Sequence, residues 1–286
     1  MESPEDELQL NPRTKGSVDH AILEHFYSHL PAAEFDTLRA ETLDELPPRI
    51  RTYLHQAIDD VFERLDLERP SKSRVLRQIE RSLTRRALET FVRHDLLEML
   101  ENGYRPEGCE IQFGTQRDGT AGHYPAARLP VPSEEFYYIG KIDRIDRHVS
   151  NGRLRVIDYK AGTASAHSQL EADAAQGLKL QLPMYGLAMR SLEKLSSEGI
   201  DIQIKPLTKF ALNKFGFPLE QQADRLEKLL HSFAGGMLNG YFRATPEEKR
   251  CKYCTMTLWC RAKHDEADAA EESTTTAASL LLGPAE

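Results

Sequence analysis

The chain has 286 residues, 40% of them hydrophobic, and a formal net charge of −8. That length suits one large domain or two small ones with a buried core. No apolar run is long enough to span a bilayer, and the opening MESPEDELQLNP is too acidic and polar for a secretory leader, so a cytoplasmic protein with no membrane partner is expected. The charge excludes a purely electrostatic nucleic-acid coat, but it is unevenly placed. Residues 264–286 hold six acids and no lysine or arginine, which leaves about −2 for the remainder.

Residues 1–16 read as an extended lead-in. Helices are expected over 17–30, with Ile22, Leu23, Phe26 and Leu30 on one side, over 48–66 behind Pro47 and Pro48, and over 71–102, opened by Ser71 and closed by Asn102-Gly103. The period then changes. Residues 109–114, 135–146 and 153–160 are short, rich in Ile, Val, Tyr and Phe, and read as strands, with a loop over 115–133. Asn151-Gly152 between the last two strands is a hairpin signal. Residues 168–197 read as helix, 200–213 as a strand reaching toward Phe217, 218–239 as helix, and 264–286 as a disordered acidic tail. This order predicts an α/β core, a mixed central sheet flanked by helices, with an N-terminal helical flank. Its parts are a helical portion over 17–103, a catalytic core over 104–240 and a cysteine-rich segment over 241–263.

The centre of the chain is GKIDRIDRHVSNGRLRVIDYKAG, residues 140–162. Asp143 and Asp158 each interrupt an apolar strand, where a carboxylate is costly unless paired or bound to metal. Folding about Asn151-Gly152 brings the two strands side by side and the two acids near one another. Two close carboxylates repel unless a cation lies between them, and hard oxygen donors suit Mg²⁺ or Mn²⁺. Lys160, two residues beyond Asp158, shares its face of the strand. A metal that activates water beside a lysine that steadies developing charge fits phosphodiester hydrolysis. The alternative is a surface hairpin with ordinary salt bridges, and Arg144, Asp146 and Arg147 are expected to be of that kind.

Five motifs in fixed order extend this reading. They are Gly16, His20, Leu23, Glu24, Phe26 and Tyr27; then Pro106, Glu110, Phe113 and Gly114; then Gly140 to Asp146; then Val156 to Gly162; then Gln181 to Tyr185. Together they resemble the RecB-type branch of the PD-(D/E)XK nuclease superfamily, and best the nuclease region of AddB-like helicase–nuclease subunits. The resemblance implies a restriction-endonuclease-like core over most of residues 16–260 and a metal-dependent deoxyribonuclease, exonuclease rather than endonuclease, acting on DNA in end processing and recombinational repair. It implies that Asp143, Asp158, the Tyr159 backbone carbonyl and His20 hold the metal. It further implies that Lys160 is the catalytic lysine, that Glu110 supports the site, and that Gln181 and Tyr185, four apart on one helical face, orient the lysine or touch the DNA backbone. Taken alone, His20, Glu110, Gln181 and Tyr185 also fit plain surface, capping or packing roles.

Cys251, Cys254 and Cys260 cluster near the end of the chain, a spacing that suggests metal rather than disulfides. The resemblance implies a [4Fe-4S] cluster there; zinc is the physical alternative. A fourth cysteine preceding the His20 helix is lacking, and Cys109 reads as a small buried residue, so an incomplete or labile cluster is expected. The chain therefore resembles a C-terminal fragment of a longer subunit, or a degenerate stand-alone copy. Arg74, Arg77, Arg81 and Arg85 form one helical stripe that could meet DNA phosphates; the alternative is a face paired with Glu80 and Glu89. No GxxxxGK[ST] phosphate loop and hence no ATP site is present in this chain, so a motor belongs to a missing portion of the subunit or to a helicase or AddA-like partner. The competing function is a non-catalytic module that binds DNA or that partner.

Overall fold

The computed structural model describes residues 12–68, 73–115, 119–129, 136–160, 169–195, 199–207, 215–241, 251–252, 254–256 and 260. The expected acidic tail and the residues before Pro12 lie outside them.

The helical flank comprises α1 (Pro12–His29), a short α2 (Ala32–Thr37), α3 (Pro48–Glu68) and α4 (Arg74–Glu101). Ser73, not Ser71, caps α4: its hydroxyl accepts from the Leu76 N–H at 3.3 Å. At the other end Asn102 is the C-cap, and Gly103, at φ +69°, turns the chain out of the helix. Ile22, Leu23 and Phe26 of α1, Leu54, Ile58 and Phe62 of α3, and Leu88, Val92 and Leu96 of α4 form one apolar core.

The strands are β1 (Tyr104–Phe113), β2 (Ala127–Leu129), β3 (Phe136–Tyr138), β4 (Gly140–His148), β5 (Leu154–Lys160), β6 (Ile200–Pro206) and β7 (Phe215–Gly216). Five of them form a mixed sheet in the order β1-β4-β5-β6-β7, antiparallel except for β5 beside β6. The segment read as one helix over 168–197 is two, α5 (Leu170–Ala175) and α6 (Gln181–Leu192). Gly177, at φ +74°, breaks it, and the Phe233 ring fills the space where a Cβ would sit. A final α7 spans Leu219–Leu238.

Strand alternation sends side chains into two different layers. On β5, Ile157 and Tyr159 enter the helical core, whereas Leu154 and Val156 join Leu182, Leu187, Leu226 and Leu230 of α6 and α7. The sheet is thus covered on both faces, which is why its central strands have no solvent side. No described helix is long and apolar enough to cross a membrane.

Candidate active site

The site lies where β4 and β5 part. Their ladder runs as far as Arg144 opposite Ile157. One step further Asp143 and Asp158 face each other, and the Tyr159 N–H donates to the Asp143 carboxylate at 2.7 Å instead of to a β4 carbonyl. A side chain thereby takes over a ladder bond and is fixed at the mouth of the fork.

On the other side of β4, Glu110 of β1 lies between the pairs Cys109–Arg144 and Ile111–Ile142. Its φ is +51°, in the left-handed region that non-glycine residues seldom adopt. Its carboxylate is ion-paired with Lys141. The helical flank adds His20, whose Nδ1 lies 3.6 Å from Asp143 Oδ2 and whose Nε2 lies 3.0 Å from the Tyr159 carbonyl oxygen. A carbonyl only accepts, so Nε2 carries the proton in that contact.

His20, Glu110 and Asp143 each offer a ligand atom within 4.8 Å of the others, the one such group of three among the described residues. Asp158 stands outside it. Its carboxylate, 2% exposed at the residue level, meets the Lys160 ammonium at 2.7 and 2.9 Å. Lys160 also lies 3.4 Å from Gln181 Oε1, and Gln181 donates to the Tyr185 hydroxyl at 3.2 Å. Gln181 and Tyr185 are thus hydrogen-bonded to each other along one face of α6, with Gln181 next to the lysine.

Burial pushes the Asp143 carboxyl up to about 6; His20 opposes the rise, and the like charges of Asp158 and Glu110 add to it. Burial together with the Glu110 charge also raises Glu24, one turn beyond His20. Glu24 and Lys141 are thus part of the site's charge balance; both fall within the family motifs, but no role follows from the sequence, because Lys141 meets Glu110, and Glu24 feels it, only across neighbouring elements. Two carboxylates, an imidazole and a backbone carbonyl crowded together suit a hard divalent cation.

Arg144 and Asp146 are not surface salt-bridge residues. Both are completely buried, with Arg144 Nε 2.7 Å from Asp146 and Nη1 2.5 Å from Asp95 of α4. They occupy the β4 face turned into the helical layer, and a strand covered on both sides can hold charge there only as a paired network. Arg147 does keep ordinary surface partners, the exposed Glu107 and the half-buried Glu193.

The arginine stripe is committed to α3. Arg77 pairs with Asp66 at 2.8 Å and Glu80 at 3.2 Å, and both Arg81 and Arg85 meet Asp59. The face is paired, but of the two acids expected to pair it only Glu80 does; Asp59 and Asp66 of α3 supply the rest, Glu89 meets His55, and Arg74 lies exposed at the start of α4. Among the cysteines, the Cys254 N–H donates to the Cys251 carbonyl at 3.2 Å, placing the two in one turn. Cys109 packs against the helical core, and burial pushes its thiol up to about 12.

Comparison with known proteins agrees with this geometry. The family model of the PD-(D/E)XK nuclease superfamily matches residues 2–261. The chain is 27% identical over 198 residues to an ATP-dependent helicase/deoxyribonuclease subunit of Lacticaseibacillus paracasei, covering 66% of this chain and 15% of that protein. It is 31% identical over 180 residues to the protein of the same name from Symbiobacterium thermophilum, covering 61% and 14%. The chain therefore matches only about a seventh of the length of these curated relatives. A match spanning every described residue, over a mixed sheet that carries the acid–acid–lysine fork, places the chain in the PD-(D/E)XK nuclease superfamily.

Proposed function

We propose that the chain is a Mg²⁺- or Mn²⁺-dependent deoxyribonuclease that cuts single-stranded or unwound DNA in end processing and recombinational repair, as the nuclease part of a helicase–nuclease. The carrying observation is the convergence of His20, Glu110 and Asp143 at the β4–β5 fork, beside the Asp158–Lys160 pair.

In this reading His20, Asp143, Asp158 and the Tyr159 carbonyl hold the cation, with Glu110 adjoining. A divalent ion bound there lowers the pKa of a water and offsets charge on the scissile phosphate. Lys160 presents its ammonium to the phosphate or the attacking water, and Asp158 and Gln181 keep it from wandering. Tyr185 in turn steadies Gln181. The names of the relatives support DNA as the substrate and a helicase as the partner. This sequence holds no GxxxxGK[ST] phosphate loop, and in this reading ATP hydrolysis falls outside these residues, to a further part of the subunit or to that partner.

Cys251, Cys254 and Cys260 are the proposed cluster ligands. Three thiolates do not complete a cubane, and Cys109, buried with a raised pKa, is a poor fourth, so the donors fit an incomplete or labile site. Iron and sulfide analysis after anaerobic purification tests this; about four irons per chain would refute it.

The central test is Mg²⁺-dependent cleavage of end-labelled single-stranded DNA, with and without chelator. Cleavage by the wild type that disappears in Asp158→Ala, with the fold intact by circular dichroism, is the expected result. A folded wild type that binds DNA without cutting it in either Mg²⁺ or Mn²⁺ would make the chain a binding module instead.

A further inference from the structure

Arg144 directly follows Asp143, so its side chain leaves the opposite face of β4 and enters the helical layer. Desolvating a guanidinium costs several kcal/mol unless its donors are matched, and here the matching is close. Nη1 donates to Asp95 of α4 at 2.5 Å and to the Tyr159 hydroxyl of β5 at 2.7 Å. Nη2 donates to Asp146 at 3.0 Å. The guanidinium carbon lies 4.4 Å from the centre of the Tyr27 ring, and the Tyr27 hydroxyl donates to Asp95.

Those partners are the supports of the site. Tyr27 lies seven residues after His20 on α1, two turns along the same face. Tyr159 contributes the carbonyl that His20 holds and the N–H that holds Asp143. One buried cation therefore touches the helix that carries His20 and the strand that carries the carbonyl, and is bonded through the chain to Asp143. A role in stability alone explains little of this, because buried ion pairs are often no more stabilising than apolar groups of the same shape.

The geometry points to Arg144 as a positioning residue: bridging Asp95, the Tyr159 hydroxyl and the Tyr27 ring, it sets the register of α1 against β5, and so the spacing of His20, the Tyr159 carbonyl and Asp143. This rests on the reading that those groups hold the metal.

The test uses two variants of the full chain. Arg144→Lys keeps the charge and loses the planar fork; Tyr159→Phe keeps the ring and loses one hydrogen bond. Mn²⁺ binding is followed by calorimetry, and the His20 ring nitrogens by ¹⁵N NMR without metal. We expect both variants to fold, Mn²⁺ affinity to fall roughly tenfold or more in Arg144→Lys and by less in Tyr159→Phe, and the protonated-Nε2 signature of His20 to be averaged in both. If Arg144→Lys does not fold, Tyr159→Phe decides alone. Folded variants with Mn²⁺ affinity within twofold of wild type and an unchanged His20 ring would overturn the inference. Should the wild type bind no Mn²⁺, the metal reading fails, and the NMR signal then decides separately: averaging supports positioning by Arg144, and an unchanged signal refutes it.

Discussion

His20 of α1 and the carbonyl of Tyr159 of β5 stand 3.0 Å apart across 139 residues of chain, and the same imidazole reaches Asp143 with its other nitrogen. The helical flank is therefore part of the site and not merely a lid on the core. Removing the ring takes away one donor and the partner of the carbonyl, while the partly exposed position leaves little cavity. His20→Ala is expected to lower cleavage and Mn²⁺ affinity about 10- to 100-fold, with a melting temperature close to that of the wild type. Wild-type rates in that variant would remove His20 from the site.

Lys160 and Asp158 are tied at 2.7 Å, with the acid buried and the lysine about a third exposed. Lys160→Ala leaves a buried carboxylate without its counter-charge, at a cost of about 1–3 kcal/mol. Cleavage should fall by roughly 10² or more, the scale of losing one charge-stabilising donor. A divalent ion should restore stability without restoring cleavage, which melting curves with and without Mn²⁺ can show alongside the assay. Recovery of both by metal would mean that the lysine serves only to neutralise Asp158.

Glu110 holds φ at +51° in the middle of β1, a conformation that costs of order 1–3 kcal/mol for such a residue. Its carboxylate faces Lys141 and the His20–Asp143 pair. Glu110→Gly removes both the strain and the charge, so the variant should melt at the same or a higher temperature while cutting more slowly. Glu110→Ala keeps the strain and should be the less stable of the two. If Glu110→Gly retains full cleavage, the residue belongs to the sheet edge rather than to the chemistry.

Gly140 opens β4, and a Cβ there would come within 2.6 Å of the Phe113 ring and 2.8 Å of the Tyr185 ring. Tyr185 steadies Gln181, which in turn meets Lys160. Gly140→Ala should therefore destabilise by about 1–3 kcal/mol and also slow cleavage through the displaced tyrosine. Cleavage unchanged at saturating substrate in a destabilised protein would separate Tyr185 from the lysine's positioning.

Much of the site is readable from sequence because it depends on short-range rules. The hairpin signal at Asn151-Gly152 foretells that β4 and β5 pair, and strand alternation puts Asp158 and Lys160 on one side. The register itself comes from a four-residue loop, Val149 to Gly152, that sets His148 opposite Arg153; a two-residue turn would have put Asp143 opposite Lys160. What local pattern cannot supply is the third dimension. Arg144 and Asp146 look like ordinary strand charges until α4 is seen to cover their face with Asp95. Arg77, Arg81 and Arg85 look like a phosphate ridge until α3 brings Asp59 and Asp66 beside them. The left-handed Glu110 leaves no trace in composition, since the residue is not one that favours that conformation.

Asp95 gives the buried network a pH signature. Burial alone would raise its pKa, but Arg144 and Lys205 outweigh burial and hold the carboxyl well below its ordinary value of 3.8. A carboxyl depressed on folding contributes stability in full above its unfolded pKa and loses it as pH falls toward the folded value. The loss should therefore begin near pH 4 and continue below it. Asp146, raised by burial despite Arg144, works in the opposite sense, its share being present at low pH and lost as pH rises. Asp95→Asn removes the first contribution and, by taking away a like charge, also lessens the rise of Asp146. It should cost about 3–5 kcal/mol at neutral pH, because Arg144 and Lys205 lose a charged partner. It should also make the acid-side slope of stability shallower, by up to about 1.4 kcal/mol per pH unit for one proton. Urea titrations between pH 3 and pH 7 measure both. Equal slopes for the variant and the wild type would show that Asp95 is not ionised in the folded core.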